Sequence, residues 1–74
     1  MRLLLAEDEL ALSKALIAIL ERNNYSVDAA YDGQEALEYL EADNYDGVIL
    51  DIMMPKVDGI TVLKEIRKRG NLIP

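Results

Sequence analysis

The centre of the chain reads, from residue 48 to residue 59, Val-Ile-Leu-Asp-Ile-Met-Met-Pro-Lys-Val-Asp-Gly. A continuous apolar run of this kind is typical of a strand that is buried on both faces of a parallel sheet. The run ends in Asp51, the chain breaks at Pro55, and a helix pattern begins near Asp58. Because ligands of open α/β sheets bind beyond the carboxyl ends of the strands, Asp51 is a candidate functional residue.

Asp51 has a simpler interpretation, in which it merely caps the helix that follows. A second acidic cluster argues against this, since Glu7, Asp8 and Glu9 follow another apolar run at residues 3–6. Carboxylates that follow two strands of one parallel sheet lie at the same edge of that sheet. We therefore expect these acids to form a site together with Asp51.

Three strand patterns alternate with three helix patterns along the chain. Strands are expected at residues 3–6, 25–31 and 47–50, and the polar content of the second suggests an edge position. Helical spacing predicts three amphipathic helices between and after them. Their expected buried stripes are Leu12, Ala15, Leu16, Ile19 and Leu20; then Ala36, Leu37 and Leu40; then Val62, Leu63 and Ile66.

The helix ends carry recognisable signals. Asp32 is expected to cap the second helix, with Glu35 completing a capping-box pattern, and Asp58 to cap the third. The two asparagines at 23–24 are expected to end the first helix, and Gly70 the third. Three β-α units with short connections predict a parallel sheet with right-handed crossovers and helices on its faces.

Composition limits the class of protein. The chain has 74 residues, a net charge of −6 and 51% hydrophobic residues, which is typical of one small globular domain. It has no Cys, which excludes disulfides and thiolate metal sites. No apolar run approaches the ~20 residues of a membrane span or resembles a signal peptide, so we expect a soluble, cytoplasmic protein. The acidic balance disfavours nucleic-acid binding by this segment, and the basic residues at 64–69 suit a helix end.

The expected carboxylate cluster suggests a chemistry. Like charges held together cost stability unless a cation is present, and oxygen-only ligands suit the hard cation Mg²⁺. Asp51 could then act as a nucleophile towards phosphorus, since Asp carboxylates form acyl-phosphate intermediates. Neutralising charge on the transferred group is the main demand of phosphoryl transfer.

Several segments together resemble the amino-terminal part of a response-regulator receiver domain from bacterial two-component signalling. The resemblance covers essentially all of the chain, and its combined pattern is specific. The segments are Leu3-Leu4-Leu5-Ala6-Glu7-Asp8-Glu9, Gly33-Gln34-Glu35-Ala36, the run from Tyr45 to Pro55, and Asp58-Gly59.

The resemblance implies a flavodoxin-like, CheY-like α/β fold with strand order 2-1-3 for the part present. It implies that Asp51 is the phosphoacceptor, that Asp8 binds Mg²⁺ directly, that Glu7 acts through water, and that the backbone carbonyl of Met53 completes the coordination. The implied partner is a sensor histidine kinase, and the module is not a turnover enzyme. The Ile-Met-Met-Pro run and the acidic triplet look most like regulators with a winged-helix DNA-binding domain, so transcription regulation would belong to a parent protein.

The chain also departs from the family. Receiver domains have five strands, so residues 1–74 are expected to form a partial domain lacking strands 4 and 5, with residues 72–74 matching the lead-in to strand 4. No residue matches the family's switch Ser/Thr or its Lys, and Lys56 matches a variable loop position. We therefore expect impaired phosphorylation.

The same departure predicts self-association. The third strand would be an exposed apolar edge, and one face of the sheet would lose its cover. We expect a homo-oligomer formed by pairing this strand with a copy of itself or by exchanging helices, with a partly disordered monomer as the alternative.

Two other functions are alternatives to that of a phosphoacceptor module. A phosphatase of the Asp-x-Asp type would need a second acid two residues after Asp51, where Met53 stands. A non-catalytic, self-associating half-domain is the more serious alternative, because the missing residues are catalytic and the exposed edge favours association.

Overall fold

The computed structural model describes every residue from Met1 to Pro74. Three parallel strands form one sheet in the order β2-β1-β3, which confirms the expected fold class and the edge position of the second strand. None of the helices has the length and apolar character needed to cross a bilayer. The elements are β1 (Arg2–Ala6), α1 (Leu10–Arg22), β2 (Ser26–Ala30), α2 (Gly33–Ala42), β3 (Gly47–Leu50) and α3 (Gly59–Lys68).

The register aligns the carboxyl ends of the three strands. Ala6 at the end of β1 lies opposite Ala30 of β2 and Leu50 of β3. Two backbone hydrogen bonds extend this pairing, because the amide of Glu7 donates to the Ala30 carbonyl at 3.0 Å and that of Asp51 to the Ala6 carbonyl at 2.9 Å. The acids that follow β1 and β3 are therefore brought to one edge of the sheet.

The main core lies on one face of the sheet, beneath α2 and α3. Strand residues alternate between the two faces, so Leu4 and Ala6 point into this core while Leu5 is buried on the other side. The α2 stripe predicted from the sequence is confirmed, since all three of its residues are buried. The core cluster comprises Leu4, Ala6, Ala30, Ala36, Leu37, Leu40, Met54, Val62, Ile66 and Ile73.

The predicted stripe of α1 is wrong in part. Leu12 and Ile19 are 43% and 54% exposed, Ala15 is exposed as well, and only Ser13 is fully buried on this helix. The reason is that α1 packs against β1 and β2 without extending over β3. The same arrangement leaves Ile49 of β3 43% exposed.

The predicted stripe of α3 needs one correction. Val62 and Ile66 are buried as expected, but Leu63 is 38% exposed, and Gly59 takes the third buried position. Positions 59, 62 and 66 follow the helical repeat along one face, and residue 63 lies about 100° further round the helix.

The helix ends follow the sequence signals closely. The Asp32 carboxylate accepts a hydrogen bond from the Glu35 amide at 2.8 Å, and Asp58 accepts one from the Thr61 amide at 2.8 Å. The Glu35 carboxylate reaches back to the Tyr31 amide at 3.0 Å, one residue before the capping residue. Asn24 and Gly70, which follow α1 and α3, have positive φ values of 70° and 84°.

The outer edge of β3 is not wholly open, contrary to the expectation of an exposed edge. The Val48 amide donates to the carbonyl oxygen of Pro74 at 3.0 Å, and Ile73 is buried against the core. Successive amides of a strand point to opposite sides, so the Leu50 amide points to the same outer side as the Val48 amide. It donates no hydrogen bond on that side. The final residues thus cover the first half of this edge.

At the end of the sheet away from its carboxyl edge, a polar network links β1, β2 and the residue Tyr45 before β3. The Arg2 guanidinium donates to Asp28 at 2.9 Å and lies 4.8 Å from the centre of the Tyr45 ring. The Tyr45 hydroxyl donates to the same Asp28 carboxylate at 2.8 Å. Burial, followed by this hydrogen bond, raises the pKa of the Tyr45 hydroxyl well above its ordinary value.

Candidate functional site

Three carboxylates meet at the carboxyl edge of the sheet. Glu7 and Asp8 follow β1 and Asp51 follows β3, and each offers an oxygen within 4.8 Å of the others. The sequence predicted that these acids would meet, and the structure brings them together. Glu9 lies outside the cluster and is the N-cap residue of α1, although its side chain makes no capping hydrogen bond.

Glu7 is the buried member of the cluster, with 8% of its surface exposed. One of its carboxylate oxygens accepts a weak hydrogen bond from the Glu9 amide at 3.3 Å. Burial raises the pKa of the Glu7 carboxyl, the Glu9 amide opposes that rise, and the neighbouring Asp51 and Asp8 carboxyls add to it. An ionised Glu7 is therefore costly at this position unless positive charge is supplied.

Asp51 is half-buried and Asp8 is exposed. The Oδ1 atom of Asp51 accepts a hydrogen bond from the Met53 amide at 3.2 Å, which orients the carboxylate. The interpretation of Asp51 as a helix cap is wrong, because Asp58 caps α3.

Met53 contributes to the site through its backbone. Its side chain is 82% exposed and points away from the core, whereas Met54 beside it is buried in the core cluster. Met54 therefore anchors the loop that carries Asp51 and Met53.

An open groove of about 710 Å³ adjoins the acid cluster. Its lining combines apolar and polar side chains from the loop after β3 and from the first turns of α3, together with Asp8. The lining includes Ile52, Met53, Pro55, Ile60, Thr61 and Lys64.

Two glycines that shape the site were missed as functional residues. A Cβ on Gly59 would overlap the Asp51 carbonyl, and one on Gly33 would overlap the Val57 carbonyl. Each glycine therefore lets a helix start press against the loop after β3. A repeated Asp-Gly pair at both helix starts, Asp32-Gly33 and Asp58-Gly59, was the signal available in the sequence.

The donor set fits a magnesium ion. All three side chains offer carboxylate oxygens, the chain has no His or Cys, and Mg²⁺ prefers oxygen ligands from one or two carboxylates with waters retained. The buried Glu7 carboxylate beside Asp51 is the specific feature that a cation would stabilise.

The chain is thus a small parallel α/β module of three layers, with an acid cluster at the carboxyl edge of its sheet. The chain belongs to the response regulator receiver domain family, whose model matches residues 3–74. The resemblance noted from the sequence is therefore confirmed.

The chain is similar to known members of this family. It is 50% identical over 70 residues to the transcriptional regulatory protein DltR of Streptococcus agalactiae. These residues make up 95% of this chain and 31% of DltR. TrrA of Thermotoga maritima, solved with Mg²⁺ and beryllium fluoride, has a TM-score of 0.89 at 43% identity, covering 92% of this chain and 59% of that one. A structure of the histidine kinase ThkA in complex with TrrA matches with a TM-score of 0.90 at 40% identity, covering 97% of this chain and 62% of that one. The chain thus spans about a third of the length of the curated relative and about three-fifths of these solved chains.

Proposed function

We propose that this chain is a phosphoacceptor module of two-component signalling, which accepts a phosphoryl group on Asp51. The observation that carries the proposal is the convergence of the Glu7, Asp8 and Asp51 carboxylates within 4.8 Å at the carboxyl edge of the sheet. We further propose that residues 1–74 act as part of a receiver domain, which agrees with the share of each relative that the chain spans.

The proposed reaction transfers a phosphoryl group without net redox change. An Asp51 carboxylate oxygen forms a bond to phosphorus while the bond from phosphorus to the donor's imidazole nitrogen breaks, and the leaving imidazole takes up a proton. The Met53 amide keeps one carboxylate oxygen oriented and leaves the other available for attack. The product is an acyl phosphate on Asp51, formed once per signalling event, which is why we do not class the module as an enzyme.

Glu7, Asp8 and Asp51, together with the backbone carbonyl of Met53, would hold the Mg²⁺ ion. The ion supplies charge neutralisation for the transferred group when it is bound. TrrA was solved with Mg²⁺ and beryllium fluoride, which supports a magnesium site in this family. The buried Glu7 supports it independently for this chain.

A histidine kinase is the proposed phosphoryl donor. The complex of ThkA with TrrA supports this partner, because TrrA matches nearly the whole of the present chain. Similarity to DltR, a transcriptional regulatory protein, supports a role in transcription for the protein to which this module would belong. We propose slow phosphorylation by residues 1–74 on their own, since none of them matches the family's Lys or Ser/Thr.

Intact-mass spectrometry tests the assignment of Asp51. The chain is incubated with Mg²⁺ and acetyl phosphate, and Asp51→Asn is treated in parallel, with Asp46→Asn as a control for loss of one surface carboxylate. A phosphate adduct on the wild type and on Asp46→Asn, absent from Asp51→Asn, is the expected result. An adduct that persists in Asp51→Asn would contradict the proposal, as would no adduct on any of the three.

A second candidate function is self-association into a homo-oligomer. Ile49 of β3 and Leu12 of α1 are each 43% exposed on the side of the sheet that α1 covers only in part. Apolar surface of this kind favours burial against a second copy. Direct pairing of two β3 strands is less favoured, because Pro74 already accepts the Val48 amide.

Size-exclusion chromatography with light scattering tests this candidate. The wild-type chain is expected to run as a dimer or larger species, and Ile49→Lys as a monomer. Ile60→Lys is the matched control, since Ile60 is similarly exposed but lies on α3. A wild-type chain that is monomeric and unfolds cooperatively would exclude the association.

A further inference from the structure

The start of α2 presses directly on the loop that follows the candidate phosphoacceptor. Gly33, the first residue of α2, is buried, and a Cβ at this position would overlap the carbonyl oxygen of Val57. The Gly33 amide also donates to the Pro55 carbonyl at 3.4 Å. The loop at residues 52–57 therefore rests against α2 as well as against α3.

This contact coincides with an unusual backbone conformation in the loop. Lys56 has a φ of 66°, and the Val57 amide donates to the Pro55 carbonyl at 2.8 Å across it. A three-residue turn with positive φ at its centre is rare and strained for a residue with a side chain. Such a conformation persists only where the surroundings impose it, and the contact with Gly33 lies at both flanking residues.

A side-chain contact reinforces the same junction. The Lys56 ammonium lies 3.4 Å from Asp32, whose other carboxylate oxygen caps α2. The Asp32 carboxyl has a lowered pKa, chiefly because it accepts the Glu35 amide and also because of Lys56. Lys56 is largely exposed, and an exposed pair of this kind contributes little, so the close packing at Gly33 is the stronger restraint.

The beginning of this loop, at residues 52–53, lies at the candidate site. The Met53 amide donates to the Asp51 carboxylate, Met54 is buried in the core, and the Gly59 amide donates to the Ile52 carbonyl at 3.0 Å. The loop is thus held at its start by α3 and the core and at its end by α2. Displacement of residues 55–57 would be transmitted through the short connection to Met53.

We propose that Gly33, with the Asp32–Lys56 pair, positions the loop at residues 52–57. The start of α2 thereby sets where the Met53 backbone amide meets the Asp51 carboxylate. This role rests on the proposed phosphoacceptor function. Gly33, Asp32 and Lys56 are positioning residues, since none of them belongs to the acid cluster. No titration or bound ligand is required for the role.

The test compares Gly33→Ala with Gly70→Ala in the full 74-residue chain. Gly70 is the matched control, because its positive φ makes Ala unfavourable there, yet nothing lies within 4 Å of its Cβ position. Lys56→Asn is a second variant, since Asn tolerates positive φ and its short, neutral side chain removes the ammonium together with most of the aliphatic chain. Circular dichroism checks that each variant folds. The phosphorylation rate is measured as a function of acetyl phosphate concentration in the presence of Mg²⁺. NMR follows the resonance of the Met53 amide.

For Gly33→Ala we expect the rate at saturating donor to fall by about 10- to 100-fold, with a smaller change in the half-saturating concentration. For Lys56→Asn we expect a fall of roughly two- to fivefold. The Met53 resonance should move in both variants, and Gly70→Ala should retain the wild-type rate and resonance.

The outcomes separate this role from the proposed function. If the wild type takes up no phosphoryl group, the proposed function fails, and the Met53 resonance alone decides the positioning role. The positioning role is overturned if the Met53 resonance and the phosphorylation rate of Gly33→Ala match those of the wild type or of Gly70→Ala. If Gly33→Ala does not fold, an unchanged rate and resonance in Lys56→Asn would overturn it instead.

Discussion

Glu7 and Asp51 place carboxylate oxygens within 4.8 Å of each other, although they follow different strands. Glu7 is buried and Asp51 half-buried, so their mutual repulsion is poorly screened by solvent. Keeping both carboxylates charged at these positions therefore lowers the free energy of unfolding.

Replacing Glu7 with Gln is therefore expected to stabilise the chain in the absence of Mg²⁺, by about 1 kcal/mol, the size of a typical single-substitution effect. The same substitution should reduce the rise in melting temperature that Mg²⁺ produces in the wild type, because a carboxylate proposed to help hold the ion is lost. Thermal unfolding with and without Mg²⁺ measures both. Glu9→Gln changes the charge equally outside the cluster and should behave as the wild type; a Glu7→Gln chain with an undiminished response to Mg²⁺ would exclude Glu7 as a ligand.

Asp58 makes the start of α3 sensitive to acid. Its pKa is lowered, first because it accepts the Thr61 amide, so its contribution to stability is present above the unfolded pKa, near 3.8, and is lost as pH falls through the lower folded value. Asp58→Asn keeps the cap and should remove this part of the acid dependence, whereas Asp58→Ala should lower the melting temperature by roughly 5 °C at neutral pH. Melting curves from pH 2 to pH 7 distinguish the variants. Equal acid dependence in wild type and Asp58→Asn would contradict the assignment.

Ser13 is the fully buried residue of α1, and its hydroxyl has no hydrogen-bond partner. Ser13→Ala removes an unsatisfied polar group and adds helix propensity, so we expect it to stabilise the chain by about 1 kcal/mol. Denaturant unfolding measures the change. Ser26→Ala, at an exposed strand position, is the control and should not stabilise; a destabilised Ser13→Ala would mean that the hydroxyl has a partner in solution.

Tyr45 links the loop before β3 to β1 and β2 through Asp28 and Arg2. Tyr45→Phe removes the hydrogen bond to Asp28 and is expected to cost about 1 kcal/mol of unfolding free energy. Because the pKa of Tyr45 is raised, the variant should also lose an ionisation above the ordinary range of tyrosine in an ultraviolet titration. Tyr31→Phe, at an exposed position, is the matched control. A Tyr45→Phe chain as stable as Tyr31→Phe would show that the network contributes nothing.

The sequence by itself determined the order of strands and helices along the chain, the capping residues Asp32 and Asp58, and the meeting of the acids after β1 with Asp51, although it included Glu9, which lies outside the cluster. These follow from local rules, since hydrophobic periodicity selects each element and parallel strands align their carboxyl ends. Only the tertiary structure decided which parts of each apolar stripe are buried, because burial depends on where a helix lies on the sheet. Leu12, Ile19 and Leu63 are exposed for that reason.

The same limit applies to the edge of β3 and to the loop after it. Pro74 accepts the Val48 amide, and Gly33 fits against Val57, through contacts between residues far apart in the chain. No local pattern encodes such contacts, because they depend on the distances between elements once the core has packed. Sequence thus determined the chemical groups of the site, and packing decided what holds them in place.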